Sequence, residues 1–176
     1  PARAWLLARS ALARRLELGI YPGPLGTCAT FFNDSPTAKP AGGLVVGLGQ
    51  VGELTPGQLE EGMRNSLLDY ALHVAKWPDQ RFGDEAQPRS AAVSCLLIGT
   101  GAGGIAVRDS VEAIARAAIA ANARLVDTEM NSQVVIDRLE FVEIYEDIAI
   151  TAAQALRDVV CNRSLSQKLS WTDMAI

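Results

Sequence analysis

Histidine occurs once in this chain (His73), cysteine three times (Cys28, Cys95, Cys161), and aromatic residues make up only 6% of the 176 positions. The cysteines are widely spaced with no CxxC pair, so with a single histidine no zinc site of standard composition is expected. An odd, scattered set of thiols fits a reducing compartment, and a cytoplasmic location is expected. Basic residues are outnumbered, 16 Lys and Arg against 20 Asp and Glu. The resulting charge of −4 argues against binding nucleic acid or an anionic membrane, which clustered Lys and Arg normally serve. No run of 18 apolar residues exists, so no membrane span is expected. Neither a signal peptide nor an initiating Met precedes Pro1, which fits a segment of a larger protein.

What is present fits one α/β domain. The chain is long enough for a single core, and its 49% apolar and 20% charged residues are an ordinary globular mixture. Residues 1–17 read as a helix and linker, with Trp5, Leu6, Leu7, Leu12 and Leu16 on one stripe and Arg3, Arg9, Arg14 and Arg15 on the other side. Residues 18–160 form the main domain and 161–176 a tail. Leu18–Tyr21 and Thr27–Phe32 read as a β-hairpin at a sheet margin. Gly43–Gly47 reads as a short strand, all apolar and covered on both faces. Thr55, Pro56 and Gln58 mark a helix start that runs to about Trp77, ended by Pro78. A polar loop occupies Asp79–Arg89. Ala92–Ile98 reads as a strand in the sheet interior, followed by a helix from about Asp109 to Asn122, with Asp109 and Glu112 matching a capping box. Thr128–Gln133 is turn-like, Val134–Ile144 a longer strand, and Ile148–Val160 an amphipathic helix entered through Glu146 and Asp147. The expected architecture is a three-layer α/β domain with a mainly parallel or mixed sheet, a β-hairpin and a short N-terminal helix.

Two loops share the GxGxxG spelling: Gly47-x-Gly49-x-x-Gly52 and Gly99-x-Gly101-x-x-Gly104. Each follows an apolar strand and precedes a helix, so in a parallel sheet both emerge on one rim, where α/β folds bind ligands. Backbone N–H groups at Gly47, Gly49, Gly52, Gly99, Thr100, Gly101, Gly103 and Gly104 could approach a phosphate, with Arg108 to neutralise it. A dinucleotide site is disfavoured. The capped helix starts lie beyond the third glycines, Glu53 and Asp109 bring negative charge, and no acidic residue ends a strand about 20 residues on. No cofactor is expected. The commoner use of such glycines is to allow tight turns and close helix–sheet contact.

Catalytic constellations are thin. His73 falls on the polar side of its helix, four residues after Asp69. Cys28 and Cys95 lie in β-runs without the electropositive, exposed setting of a reactive thiolate. There is no GxSxG, HExxH or Walker lysine. Glu140, Glu143, Glu146 and Asp147 read as a strand margin and a helix start rather than an acid/base pair.

Four stretches carry a family resemblance: Leu18–Thr27 (LGIYPGPLGT), Gly43–Gly57 (GLVVGLGQVGELTPG), Leu96–Ser110 (LLIGTGAGGIAVRDS) and Arg138–Asp147 (RLEFVEIYED). Together, over roughly residues 15–157, they resemble a region of large bacterial proteins that carry a CHAT, caspase-like peptidase domain. The Gly43–Gly57 segment also resembles the macro-like N-terminal domain of leucine aminopeptidases. The resemblance implies a macro-like fold and a non-catalytic regulatory or interaction module of a CHAT-type protease protein in a bacterial conflict or defence system. Its partner would be another protein or the adjoining peptidase domain. The protease's His–Cys dyad does not carry over, since neither His73 nor Cys95 stands in the matching setting. Two alternatives stay open: a domain binding a phosphate, nucleotide or ADP-ribose-type ligand, and part of a cysteine peptidase whose dyad lies outside this segment.

Overall fold

The computed structural model describes residues 13–33, 40–76, 88–162 and 170. Its elements, in chain order, are α1 (13–17), β1 (Cys28–Phe32), β2 (Gly42–Val46), α2 (Pro56–Lys76), β3 (Arg89–Ser90), β4 (Val93–Cys95), α3 (Val107–Asp127), β5 (Val134–Val135), β6 (Leu139–Phe141) and α4 (Glu146–Cys161). The expected mixture of helices and strands is present. The remainder of the N-terminal helix, the loop at 77–87 and most of the tail lie outside the described residues.

The single mainly parallel sheet is replaced by three two-stranded pairings: β1 with β2 antiparallel, β3 with β5 parallel, and β4 with β6 parallel. The hairpin expected between Leu18–Tyr21 and Thr27–Phe32 does not form. Residues 18–21 are turn and coil, and β1 instead takes β2 as its partner, from Cys28↔Val46 to Phe32↔Gly42. The physical reason lies in Gly19, whose φ of +70° breaks an extended run. The two parallel pairs follow one another along the chain and make a single interrupted ribbon. The partner lies 45 positions ahead at Arg89–Val134 but 46 ahead at Val93–Leu139, so the second strand carries one extra residue between them. That bulge divides the long strand expected over Val134–Ile144 into β5 and β6.

The strand expected over Ala92–Ile98 extends only over Val93–Cys95, and it is not interior. Its one hydrogen-bonded neighbour among the described residues is β6. Ser94 and Glu140 are exposed on one face, whereas Val93, Cys95, Leu139 and Phe141 turn the other face to the core. A purely apolar stretch marks a strand covered on both sides only if every position is used, and here alternate positions face solvent.

The helices supply most of the core. Leu59, Met63, Leu67, Ala71 and Val74 of α2 are buried at helical spacing against Ala113, Ile114, Ala117, Ala121 and Leu125 of α3. The alanines of α3 let it lie close to α2, and this helix pair is the most extensive contact among the described elements. The strand pairs pack on α2 and α3, and α4 covers the other flank of α3 through Ala152, Ala155 and Val159.

Capping at α2 follows the sequence. Gln58 Oε1 accepts from the Thr55 N–H at 3.0 Å, and the Gln58 N–H donates to Thr55 Oγ1 at 3.3 Å. The capping box expected at Asp109 does not form. α3 begins two residues earlier with Ala106 at its N-cap, and Glu112 accepts instead from Arg116 one turn on. Asp109 therefore sits inside the first turn, where a carboxylate still complements the helix dipole.

Candidate functional site

Leu54, just after the first glycine loop, packs where a Cβ on Gly99 would stand, with Ile105 on the other side. The expected shared rim of one sheet is absent, since β2 and β4 belong to different strand pairs, and the loops come near each other only where they lead into the neighbouring starts of α2 and α3. Their glycines serve different ends.

In the first loop the backbone is already engaged. The Gly47 N–H donates to Thr27 O at 2.7 Å, and the Gly49 N–H donates to Gly23 O at 2.9 Å. A side chain on Gly47 would collide with the Pro24 carbonyl and the Thr27 hydroxyl, and one on Gly49 would press into Leu25. The segment Gly23–Thr27 fills the space that a phosphate would need. Thr27 holds its own turn closed, with Oγ1 donating to Pro24 O at 2.6 Å. Gly47 and Gly49 are here because two stretches of backbone pass in contact. Gly52 alone faces open space.

The second loop is more open. Gly99 is a packing glycine, with a φ of +79° and no room for a Cβ between Ile105 and Leu54. Its carbonyl accepts from the Ile105 N–H at 3.0 Å, which closes the loop. Thr100 Oγ1 donates to Leu97 O, and Gly104 N–H donates to Gly101 O. Gly101, Gly103 and Gly104 have nothing within van der Waals reach of a Cβ. Ser110, fully buried, donates from Oγ to Ile98 O at 2.7 Å and ties α3 to the strand exit.

Arg108 does not turn to the loop as an anion ligand would require. Its guanidinium forms an ion pair with Asp158 of α4. The charge nearest the paired helix starts is negative instead. A shallow cleft of about 160 Å³ there is lined by Pro56, Gly57, Glu60, Asp109 and Glu112, with Arg116 held by Glu112. That volume falls below the several hundred Å³ typical of small-molecule sites, and its carboxylates repel phosphate.

The titratable groups read from the sequence are placed as follows. Burial pushes the Cys95 thiol up to about 12, the reverse of what a thiolate nucleophile needs. His73 is half-exposed near the C-terminal end of α2, its Nδ1 2.7 Å from Asp69 O. Asp69 in turn accepts from Thr30 Oγ1 at 2.9 Å, which joins α2 to β1. Glu140 accepts from Ser94 Oγ at 2.6 Å and lies 3.3 Å from Arg138. Glu143 accepts the N–H groups of Ile144 and Tyr145 ahead of α4. Glu146 and Asp147 stand exposed in the first turn of α4, and among the described residues no group of His, Cys, Asp and Glu is arranged to hold a metal ion. No helix of the described residues is long and apolar enough to cross a membrane.

Sequence reasoning missed the feature that most distinguishes this region, the uncovered ribbon of β4 and β6. Its signal was present in the alternation Val93-Ser94-Cys95 and Leu139-Glu140-Phe141, with a polar residue in the middle of each triplet. No protein-family model matches the chain, and comparison with curated proteins finds no match.

Proposed function

We propose that this chain is a non-catalytic interaction module that docks on a caspase-like peptidase domain of the CHAT type, in a protein of bacterial conflict or defence. The observation that carries this reading is the unfinished ribbon: β4 and β6 each have one hydrogen-bonded neighbour among the described residues, and one face of the pair is bare at Ser94 and Glu140. A two-stranded ribbon is marginal alone, and a strand edge with no strand neighbour is a standard platform for adding a partner's strand; on the β4 edge the Tyr70 hydroxyl holds Ala92 O. The motif resemblance supplies the identity of the partner, and the macro-like outline belongs to the same proposal. Titrating the chain with the caspase-like domain of its own polypeptide tests this. Saturable binding without any change in bond-cleaving activity of the isolated chain is expected, and a flat titration contradicts it.

A second reading rests on the open glycines of the second loop. Gly101, Gly103 and Gly104 leave space for a phosphorylated ligand, with Thr100 alongside. The closed first loop and the Arg108–Asp158 pair weigh against it. Calorimetry with inorganic phosphate, ADP-ribose and common nucleotides separates the two: the interaction-module reading expects no heat, and the ligand reading requires it.

A further inference from the structure

We propose that the Tyr70 hydroxyl guards the edge of β4, holding a backbone acceptor that a docking strand must take, so that strand addition proceeds by displacing it. This inference rests on the docking reading above and adds its regulation. The ladder defines the edge. The Ala91 N–H donates to Val135 O at 2.8 Å and the Val93 N–H donates to Arg138 O at 3.0 Å, so these two residues face the strands already paired. Ala92 between them faces the opposite side, and so does Ser94. A strand laid there would pair with Ala92 O and with the N–H and carbonyl of Ser94.

Tyr70 already holds the first of these groups. From α2 its hydroxyl donates to Ala92 O at 3.2 Å. A ladder nitrogen would stand about 2.9 Å from the same oxygen, so the phenol and an incoming N–H contend for one position. The ring is fixed independently. It stacks on Phe32 of β1 with centroids 6.1 Å apart and planes at 29°. The neighbouring Asp69 ties the same turn to β1 by accepting from Thr30 Oγ1. The ring thus serves the core, and the hydroxyl serves the edge.

The strand itself carries little deterrent. Edge strands commonly discourage unwanted pairing with lysine, other charges or proline. Residues 90–107 contain no Asp, Glu, Lys, Arg or Pro, so beyond the shortness of β4 the deterrent comes from α2. A neutral hydroxyl deters less than a charge does. It requires a docking strand to exchange one hydrogen bond and to bury no charge, which disfavours loose pairing and yields to a strand that matches the edge.

Titration of Tyr70→Phe with the caspase-like domain of the same polypeptide is the test. Phenylalanine keeps the stacked ring and removes the hydroxyl. The variant is expected to bind about threefold to tenfold tighter than wild type, the effect of one hydrogen bond no longer exchanged. A bond that served only the fold would leave affinity unchanged or lower it. The double variant Tyr70→Phe/Ser94→Pro is expected to lose the gain, because both changes act on one edge. Equal or weaker binding by Tyr70→Phe, with wild type binding, overturns the proposal and leaves the docking reading standing. A gain that persists undiminished in the double variant overturns it as well. A titration flat for wild type and Tyr70→Phe alike contradicts docking itself, and the guard with it.

Discussion

The side-chain amide of Asn122 makes both hydrogen bonds of Ile136: Nδ2 donates to Ile136 O at 2.7 Å, and Oδ1 accepts from the Ile136 N–H at 3.0 Å. Ile136 lies where β5 gives way to β6, at the extra residue that takes this backbone out of the ladder. A bulge frees a donor and an acceptor in the core, and α3 supplies one planar group that satisfies both. Asn122→Ala leaves both unsatisfied, at a cost of about 2–4 kcal/mol. Asn122→Asp loses the donor and adds charge, so it is expected to be no better. Urea unfolding of the two variants checks this. A loss within experimental error of zero would mean that water replaces the amide at no cost.

The two glycine loops predict opposite tolerance to alanine. Gly47→Ala forces apart the Gly23–Thr27 segment and the strand exit, a backbone clash that costs on the order of 3 kcal/mol or more. Gly103→Ala meets open space without a positive φ, and stays within about 0.5 kcal/mol of wild type. Thermal unfolding of both variants reads the difference. Equal effects would indicate that the first loop is not held by the contacts described.

Alkaline pH provides a further check. Burial raises the Cys95 thiol from its ordinary 9.0 to about 12. Between those values the unfolded chain loses a proton that the folded chain retains. Stability is therefore complete below pH 9 and falls as pH rises through this window. Tyr70, raised by burial and then by Asp137, adds to the loss in the same direction above its ordinary 10.0. Cys95→Ala is expected to flatten the fall in denaturant midpoint over this range. Thiol labelling gives an independent reading: the exposed Cys161 reacts in the folded chain, and Cys95 reacts only on unfolding.

The Thr55 cap is the most local of these tests. Thr55→Ala removes both its hydroxyl and half of the reciprocal pair with Gln58, costing about 1 kcal/mol. Circular dichroism during thermal unfolding measures this. An unchanged midpoint would show that α2 is held by its buried face alone.

The cap at Thr55 was legible because it depends on residues within one four-residue stretch, and the α2 stripe because one helix repeats one spacing. The start of α3 was misplaced by two residues, since Asp109 and Glu112 spell a capping box yet Glu112 pairs with Arg116. Pairing partners were less legible still. Cys28–Phe32 has the composition of a strand whichever neighbour it takes, and choosing Gly42–Val46 over Leu18–Tyr21 rests on a turn at Gly19. Among the site residues, the spelling GxGxxG cannot distinguish a glycine that admits a ligand from one that admits another stretch of backbone. Gly47 and Gly49 are of the second kind, through a segment some twenty residues earlier. The fate of Arg108 depends on Asp158, fifty positions away on another helix.

The proposed docking is tested most directly at Ser94. In the parallel ladder Val93 and Cys95 face β6: the Val93 N–H donates to Arg138 O at 3.0 Å, and Cys95 O accepts from Val142 at 2.8 Å. The Ser94 N–H therefore points to the edge away from β6, where Ala92 O accepts from the Tyr70 hydroxyl at 3.2 Å and no strand is paired among the described residues, so a proline removes one donor and leaves the ribbon's own bonds in place. Titration of Ser94→Pro with the caspase-like domain is predicted to show binding at least tenfold weaker than wild type, with an unchanged unfolding curve apart from the lost Ser94–Glu140 bond. Wild-type affinity in Ser94→Pro would contradict docking through this edge.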